Sequence, residues 1–193
     1  MKIIQNLLIC ILLASLAAIT GCAKPPTEEM GKAAEAVARA ENDPDAVTYA
    51  GTLVTRAKDA LALMHQEADA KRYEAAKTHA NEAITAAERA INEGRATALR
   101  IKDQATNLVS ELPPLLMETE QGIDAAKAAH LALDYNSVNR DFNSAQRNTD
   151  QAQLALSGSR YQDAISLSNT VRAGLNGINQ QLSNAAMAVS RKK

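Results

Sequence analysis

The chain predicts an all-α fold, an elongated antiparallel bundle of coiled-coil-like helical hairpins, and three observations lead there. Apolar residues recur at steps of three and four through most of residues 44–190, and no stretch alternates with the period of two that a strand requires. About a fifth of the 193 residues is Ala. The aromatic side chains are only Tyr49, Tyr73, Tyr135, Tyr161 and Phe142, with no Trp, so the core is thin and depends on helices that approach closely. About six helices are expected, including a short N-terminal one.

Residues 23–27, Ala-Lys-Pro-Pro-Thr, read as a spacer whose prolines favour an extended path. Thr27 followed by Glu28 and Glu29 predicts a helix start, a cap oxygen and first-turn acids facing the positive helix end, and this helix stops near Asn42. Asp43-Pro44-Asp45 predicts the next start: a capping Asp, Pro at the first helical position and a further acid. In the second helix Val47, Ala50, Val54, Ala57, Leu61, Met64 and Ala68 form a heptad stripe. The third carries Tyr73, Ala76, Ala80, Ala83, Ala87 and Ala90, then Ile101, Ala105 and Leu108, and breaks at Pro113-Pro114. At a rise of about 1.5 Å per residue it is roughly 60 Å long, with Gly94 marking a bend.

Leu116, Ile123, Ala126, His130 and Leu133 predict a fourth helix ending near Asp134, with Thr119 a weak stripe position. Val138, Phe142, Ala145, Thr149, Ala152 and Leu156 make a fifth, and Ser157-Gly158-Ser159 is its turn. The sixth has the cleanest register: Tyr161, Ala164, Ser168, Val171, Leu175, Ile178, Leu182, Ala185 and Val189. The body, residues 28–193, thus divides into hairpins over about 44–112 and 136–190 joined by a helix over about 114–134. A gapless shift of 88 residues places Val54 on Phe142, Ala57 on Ala145, Met64 on Ala152, Arg72 on Arg160, Tyr73 on Tyr161 and Ala76 on Ala164. Each Tyr falls where a short turn feeds the second helix of its hairpin, placed to lay its ring over small residues opposite.

Ahead of the body, Lys2 precedes an apolar stretch from Leu7 to Ile19, about 13 residues, which is short of the roughly 20 a membrane span needs. Ile19-Thr20-Gly21-Cys22 then supplies an aliphatic residue, a small or β-branched one, a glycine and a thiol. Residues 1–21 accordingly read as a cleaved lipoprotein signal, and residues 22–27 as a lipidated Cys22 with its proline-containing spacer. Cleavage before Cys22 frees a thiol to take a diacylglycerol, and each buried methylene of the acyl chains contributes about 0.8 kcal/mol. Ala23 after the cysteine, in place of Asp, resembles the pattern that sends envelope lipoproteins to the outer membrane, with the body in the periplasm.

Composition narrows the function classes. Cys10 lies in the apolar stretch and Cys22 is the acceptor, so the 172-residue mature chain has no disulfide and depends on packing alone. Its 20 basic and 22 acidic residues argue against a nucleic-acid or anionic-membrane surface. His65, His79 and His130 are scattered, and no His, Cys, Asp and Glu set has metal-ligand spacing. Glu28-Glu29, Asp43 and Asp45 are explained by helix N-termini, and Ser157 and Ser159 flank a glycine in a turn without a nucleophile elbow. No enzyme chemistry, cofactor or metal is expected.

Two resemblances bear on function. Tyr49-Ala50-x-x-Leu53-x-x-x-Ala57-x-x-x-Leu61, with Lys71-Arg72-Tyr73-x-x-Ala76-x-x-x-Ala80-x-x-Ala83, resembles an uncharacterised family of bacterial envelope lipoproteins over residues 20–110. That resemblance implies a lipobox and an Ala-rich helical hairpin domain of unknown function, one often followed by an OmpA-like peptidoglycan-binding domain. Residues 113–193 contain nothing like that module. Arg191-Lys192-Lys193 follows the last helix, and Lys193 resembles the lysine by which a murein lipoprotein is joined to peptidoglycan, its amine acting as nucleophile. The competing account, which we favour, is that basic residues offset the negative end of the helix. The expected function is a non-enzymatic structural or interaction scaffold with membrane attachment through lipid and an envelope protein partner. A binding module for a small ligand or for peptidoglycan, covalent attachment through Lys193 included, is the alternative.

Overall fold

The computed structural model of the chain describes residues 24–190. Among them are six helices and no strand: α1 (Thr27–Asn42), α2 (Pro44–Tyr49), α3 (Gly51–Asp69), α4 (Tyr73–Ala128), α5 (Tyr135–Ser157) and α6 (Tyr161–Ser190). The fold is all-α. It divides into two compact units, one ending at Ala96 and the other beginning at Thr97, so α4 contributes residues to both.

In the first unit α1, α3 and the first part of α4 close around a seam in which thirteen of sixteen buried side chains are Ala, the others being Val37, Val54 and Met64. A methyl group fills little space, so such a seam is dense only where the helix backbones come near one another. Ion pairs lace the rim, Glu29 with Lys77 at 3.1 Å and Glu41 with Lys58 at 2.8 Å. Both are open to solvent and add little to stability.

The second unit joins the rest of α4 to α5 and α6 around larger side chains. Only six of its fifteen core residues are Ala, and Leu112, Val138, Phe142, Val171, Leu175 and Ile178 supply bulk. Its buried hydroxyls are used locally. Thr149 and Ser168 donate to the carbonyls of Ala145 and Ala164 at 2.9 and 2.7 Å, and Thr119 accepts from the Asn179 amide at 3.2 Å.

Helix boundaries differ from expectation at two places. The expected second helix is interrupted at Ala50, where φ −132° and ψ 28° take the backbone out of the helix before it restarts at Gly51. The interruption turns Ala46, not Val47, toward the core, and Val47 stays 51 % exposed. At Pro113-Pro114 the expected break does not occur, and α4 runs through both residues. Each proline removes a helical donor at a cost of about 3 kcal/mol. Both are exposed, while Leu112 beside them is fully buried and Leu115 and Leu116 pack on the core. Burial of each Leu contributes up to about 1.5–3 kcal/mol, which with Val109 and Ile123 on the same face holds the helix together. One expected break is absent and one unexpected break is present, so the count of six survives with different members.

Smaller departures are local. Thr27 is the first helical residue of α1, not its cap, and Pro26 precedes it without a side-chain cap. His130 lies in the turn after α4, exposed and at φ 50°, not on a helical stripe, and Val189 is 43 % exposed.

The 88-residue echo is present in the backbone. After α3, the Lys71 and Arg72 amides donate to the Ala68 and Glu67 carbonyls; after α5, Ser159 and Arg160 donate to Leu156 and Ala155. Lys71 and Ser159, 88 apart, both take left-handed conformations at φ 61° and 58°. This is the Schellman termination of a helix, made here without glycine at its left-handed position. Beyond the turns, Ala76, Ala80, Ala83, Ala87 and Ala90 are buried, as are Ala164, Ser168, Val171, Leu175 and Ile178. The third helix of each unit follows the same plan at an offset of 86. Ala33, Val37 and Ala40 of α1 match Thr119, Ile123 and Ala126 of α4, all buried. Each unit is therefore built on three helices, a hairpin with one helix against it, and the first unit adds the short α2.

Candidate functional surfaces

The most constrained polar group is Asp43. One carboxylate oxygen, Oδ1, accepts from the backbone amides of Asp45 and Ala46 at 3.1 and 3.0 Å, capping α2 as the Asp-Pro-Asp sequence predicts. The other takes the Arg95 guanidinium at 2.8 Å. The Ala46 amide foremost, and Arg95 with it, hold the Asp43 carboxyl below the usual Asp value despite partial desolvation. Arg95 sits next to Gly94, and there the fold needs glycine. A Cβ on Gly94 would lie 2.6 Å from the Ala46 nitrogen and 2.7 Å from its Cα. The expected bend at Gly94 is instead the seat of α2 on α4, within one continuous helix. This arrangement anchors structure and carries no reactive group.

Glu67 and Arg72 bridge the first hairpin turn, with Nη2 to Oε1 at 2.8 Å and a second, parallel bond from Nε. The guanidinium holds the Glu67 carboxyl low. His79 bonds Glu82 through Nδ1 at 2.8 Å on one exposed face. Among the described residues no His, Cys, Asp and Glu set converges as a metal site, and no buried side-chain polar atom lacks a partner. His65 is exposed on α3, away from any such set.

The internal echo extends to the surface. Leu53, Arg56, Glu82, Thr85 and Ala86 line a groove of about 330 Å³ on the α3/α4 hairpin. Asp141, Ser144, Thr170, Ala173 and Gly174, each 88 residues further on, line one of about 310 Å³ on the α5/α6 hairpin. Leu53, Arg56 and Glu82 of the first groove are thus replaced by Asp141, Ser144 and Thr170 in the second. The two grooves share a shape and not a chemistry.

A larger groove, about 540 Å³, belongs to the second unit alone. It runs between the end of α4 and the end of α6, over Gly122, Ala125 and Ala129 on one side and Leu182, Ala186 and Val189 on the other. No periodicity argument on single helices reveals it. Its walls come from two parallel segments that meet only in the folded bundle.

The residues expected to carry the membrane anchor, Ile19, Thr20, Gly21 and Cys22, and the candidate attachment residue Lys193 all lie outside the described residues. Among the described residues no helix is long and apolar enough to cross a membrane. Comparison with protein-family models, with curated proteins and with solved structures finds no match to this chain.

Proposed function

We propose that the chain is a lipid-anchored protein of the bacterial cell envelope whose helical body is a non-enzymatic structural or interaction scaffold facing the periplasm, at the outer membrane. One observation carries this reading: Ile19-Thr20-Gly21-Cys22 closing an apolar stretch behind Lys2. The first described helix begins at Thr27, five residues after the cysteine, with Pro25 and Pro26 between to give clearance from the bilayer surface. Acyl chains at Cys22 hold the body at a membrane; two chains together make that attachment stable. The helical surfaces then meet a protein of the envelope.

Support for a scaffold over a ligand-binding module comes from the grooves. A module for a small molecule needs an enclosed apolar cavity with convergent polar groups, and Tyr73, Tyr161 and Phe142 are the side chains best able to line one. The grooves of about 310–540 Å³ are lined by other residues. Tyr161 instead turns its hydroxyl to Ser159 at 3.4 Å, beside its own turn.

The anchor is tested by Cys22→Ala. Loss of fatty-acid incorporation and transfer from the detergent phase to the aqueous phase are the expected results. Unchanged labelling and partitioning remove the basis of the assignment.

A further inference from the structure

The outer face of α6 carries no charge over its last five turns. From Ala173 to Ser190 there is no Asp, Glu, Lys, Arg or His, where the chain's 22 % charged share puts about four in a stretch of that length. Fourteen of these eighteen residues are exposed. Arg172, the last charge before them, lies toward Glu111 of α4 at 3.8 Å. Depletion of charge from an exposed face is the compositional mark of an interface core.

The order of side chains along that face says what covers it. Opposite the buried stripe of Val171, Leu175, Ile178 and Leu182 runs an exposed one at steps of three and four: Thr170, Ala173, Gly177, Gln180, Asn184 and Met187. Its first three members are small and its last three are long. The small end is hollow, because Thr170, Ala173, Gly174 and Gly177 wall the groove of about 310 Å³, and a Cβ added at Gly174 or Gly177 meets nothing within 4 Å. The groove's one acid, Asp141, belongs to α5. At the long end Met187 stands 47 % exposed.

We propose that α6 packs antiparallel on α6 of a second copy of this chain, about a two-fold axis between Gly177 and Gln180. That axis sets Thr170 of each copy against Met187 of the other, Ala173 against Asn184, and Gly177 against Gln180. Every layer then joins a small residue to a long one, as knobs filling holes. A two-fold contact also brings each charge near its own image, and this face has none to repel. Eighteen residues at about 1.5 Å each give a contact about 27 Å long, which buries on the order of 1,000 Å² in total. Such an area is at the lower end for specific association, so the dimer is reversible.

The contact needs only α6, so it holds with or without the lipid anchor, which Cys22→Ala reads separately. The test uses the full chain in the cells that make it. Gln180→Cys, beside the axis, is treated with a short membrane-permeant bismaleimide, and the parent chain gives the background from Cys10 and Cys22. A linked product of twice the chain mass is expected from Gln180→Cys, and none above background from Leu99→Cys, exposed on α4. Within the Gln180→Cys chain, Thr170→Met and Met187→Thr are each expected to lower the linked fraction about threefold or more, and the two together to return it to within about twofold. The two positions lie about 25 Å apart along one helix, so only pairing between copies couples them. No linked product from a Gln180→Cys thiol that accepts a simple maleimide overturns the proposal. So does a linked product of another mass, or a double variant no better than the single ones.

Discussion

Replacing Gly94 by Ala should destabilise the protein, although helix propensity argues the opposite. Ala in a helix interior is favoured over Gly by about 1 kcal/mol, and Gly94 lies well inside α4. The added Cβ, however, meets the Ala46 nitrogen at 2.6 Å, the Ala46 Cα at 2.7 Å and the Asp45 carbonyl carbon at 2.7 Å. These are all backbone atoms, so no rotamer change relieves the clash and α2 must lift away. Overpacking of this kind costs about 1–3 kcal/mol, and weakening the Asp43 cap about 1 kcal/mol more. Against a propensity gain of about 1 kcal/mol, the net loss is about 2 kcal/mol. For a chain of this size that lowers Tm by about 4–8 °C. Gly174→Ala is the paired measurement. Nothing lies within 4 Å of its added Cβ, so propensity acts alone and stability should rise by about 0.5–1 kcal/mol. Urea unfolding followed by circular dichroism at constant m-value reads both. If Gly94→Ala matches or exceeds the parent while Gly174→Ala is stabilised, α2 does not rest on α4 and the account of this turn fails.

Lys71 and Ser159 occupy left-handed positions that glycine enters without steric penalty, so Lys71→Gly and Ser159→Gly should each raise stability by up to about 1 kcal/mol; a fall in Tm refutes the Schellman geometry. Acid should unfold the chain through its held-down carboxylates. Asp43 and Glu67 sit below their ordinary values of 3.8 and 4.5, so their contribution is complete above those values and is lost as pH falls through the lower folded ones. Tm is expected to be level from about pH 7 to 5 and to drop below about pH 4, with a shallower drop in Asp43→Asn, which keeps a capping oxygen and loses the titration. An acid limb unchanged by Asp43→Asn refutes that assignment.

Much of this fold is legible in the chain because helical periodicity is a local property. The stripe through Val138, Phe142, Ala145, Thr149 and Ala152, and that from Ala164 to Leu182, are buried as the spacing requires. The start at Asp43-Pro44 is legible for the same reason, since its cap, its fixed φ and its first-turn acid are adjacent residues. Boundaries decided by tertiary packing are not legible. Pro113-Pro114 carries a strong local stop signal, and burial of Leu112 in the core of the second unit overrides it. Nothing around Ala50 signals a stop except Gly51, and the interruption serves the seating of Ala46 on a residue 48 positions away. The third helix of each unit escapes the echo because its offset is 86, two residues out of step with the hairpins. The groove between α4 and α6 is hidden for a related reason: Gly122 and Leu182 are 60 residues apart, and neither sequence neighbourhood differs from an ordinary helix.

The contrast between the two interiors sets how each unit can change. Where thirteen of sixteen interior side chains are single methyls, almost every substitution is an enlargement, and backbones in near contact have no slack to receive one. The second unit, with Leu, Ile, Val and Phe at matching depths, can exchange volume between neighbours and keep its total. A library of random variants should therefore drift freely inside one half of this molecule and stay frozen inside the other.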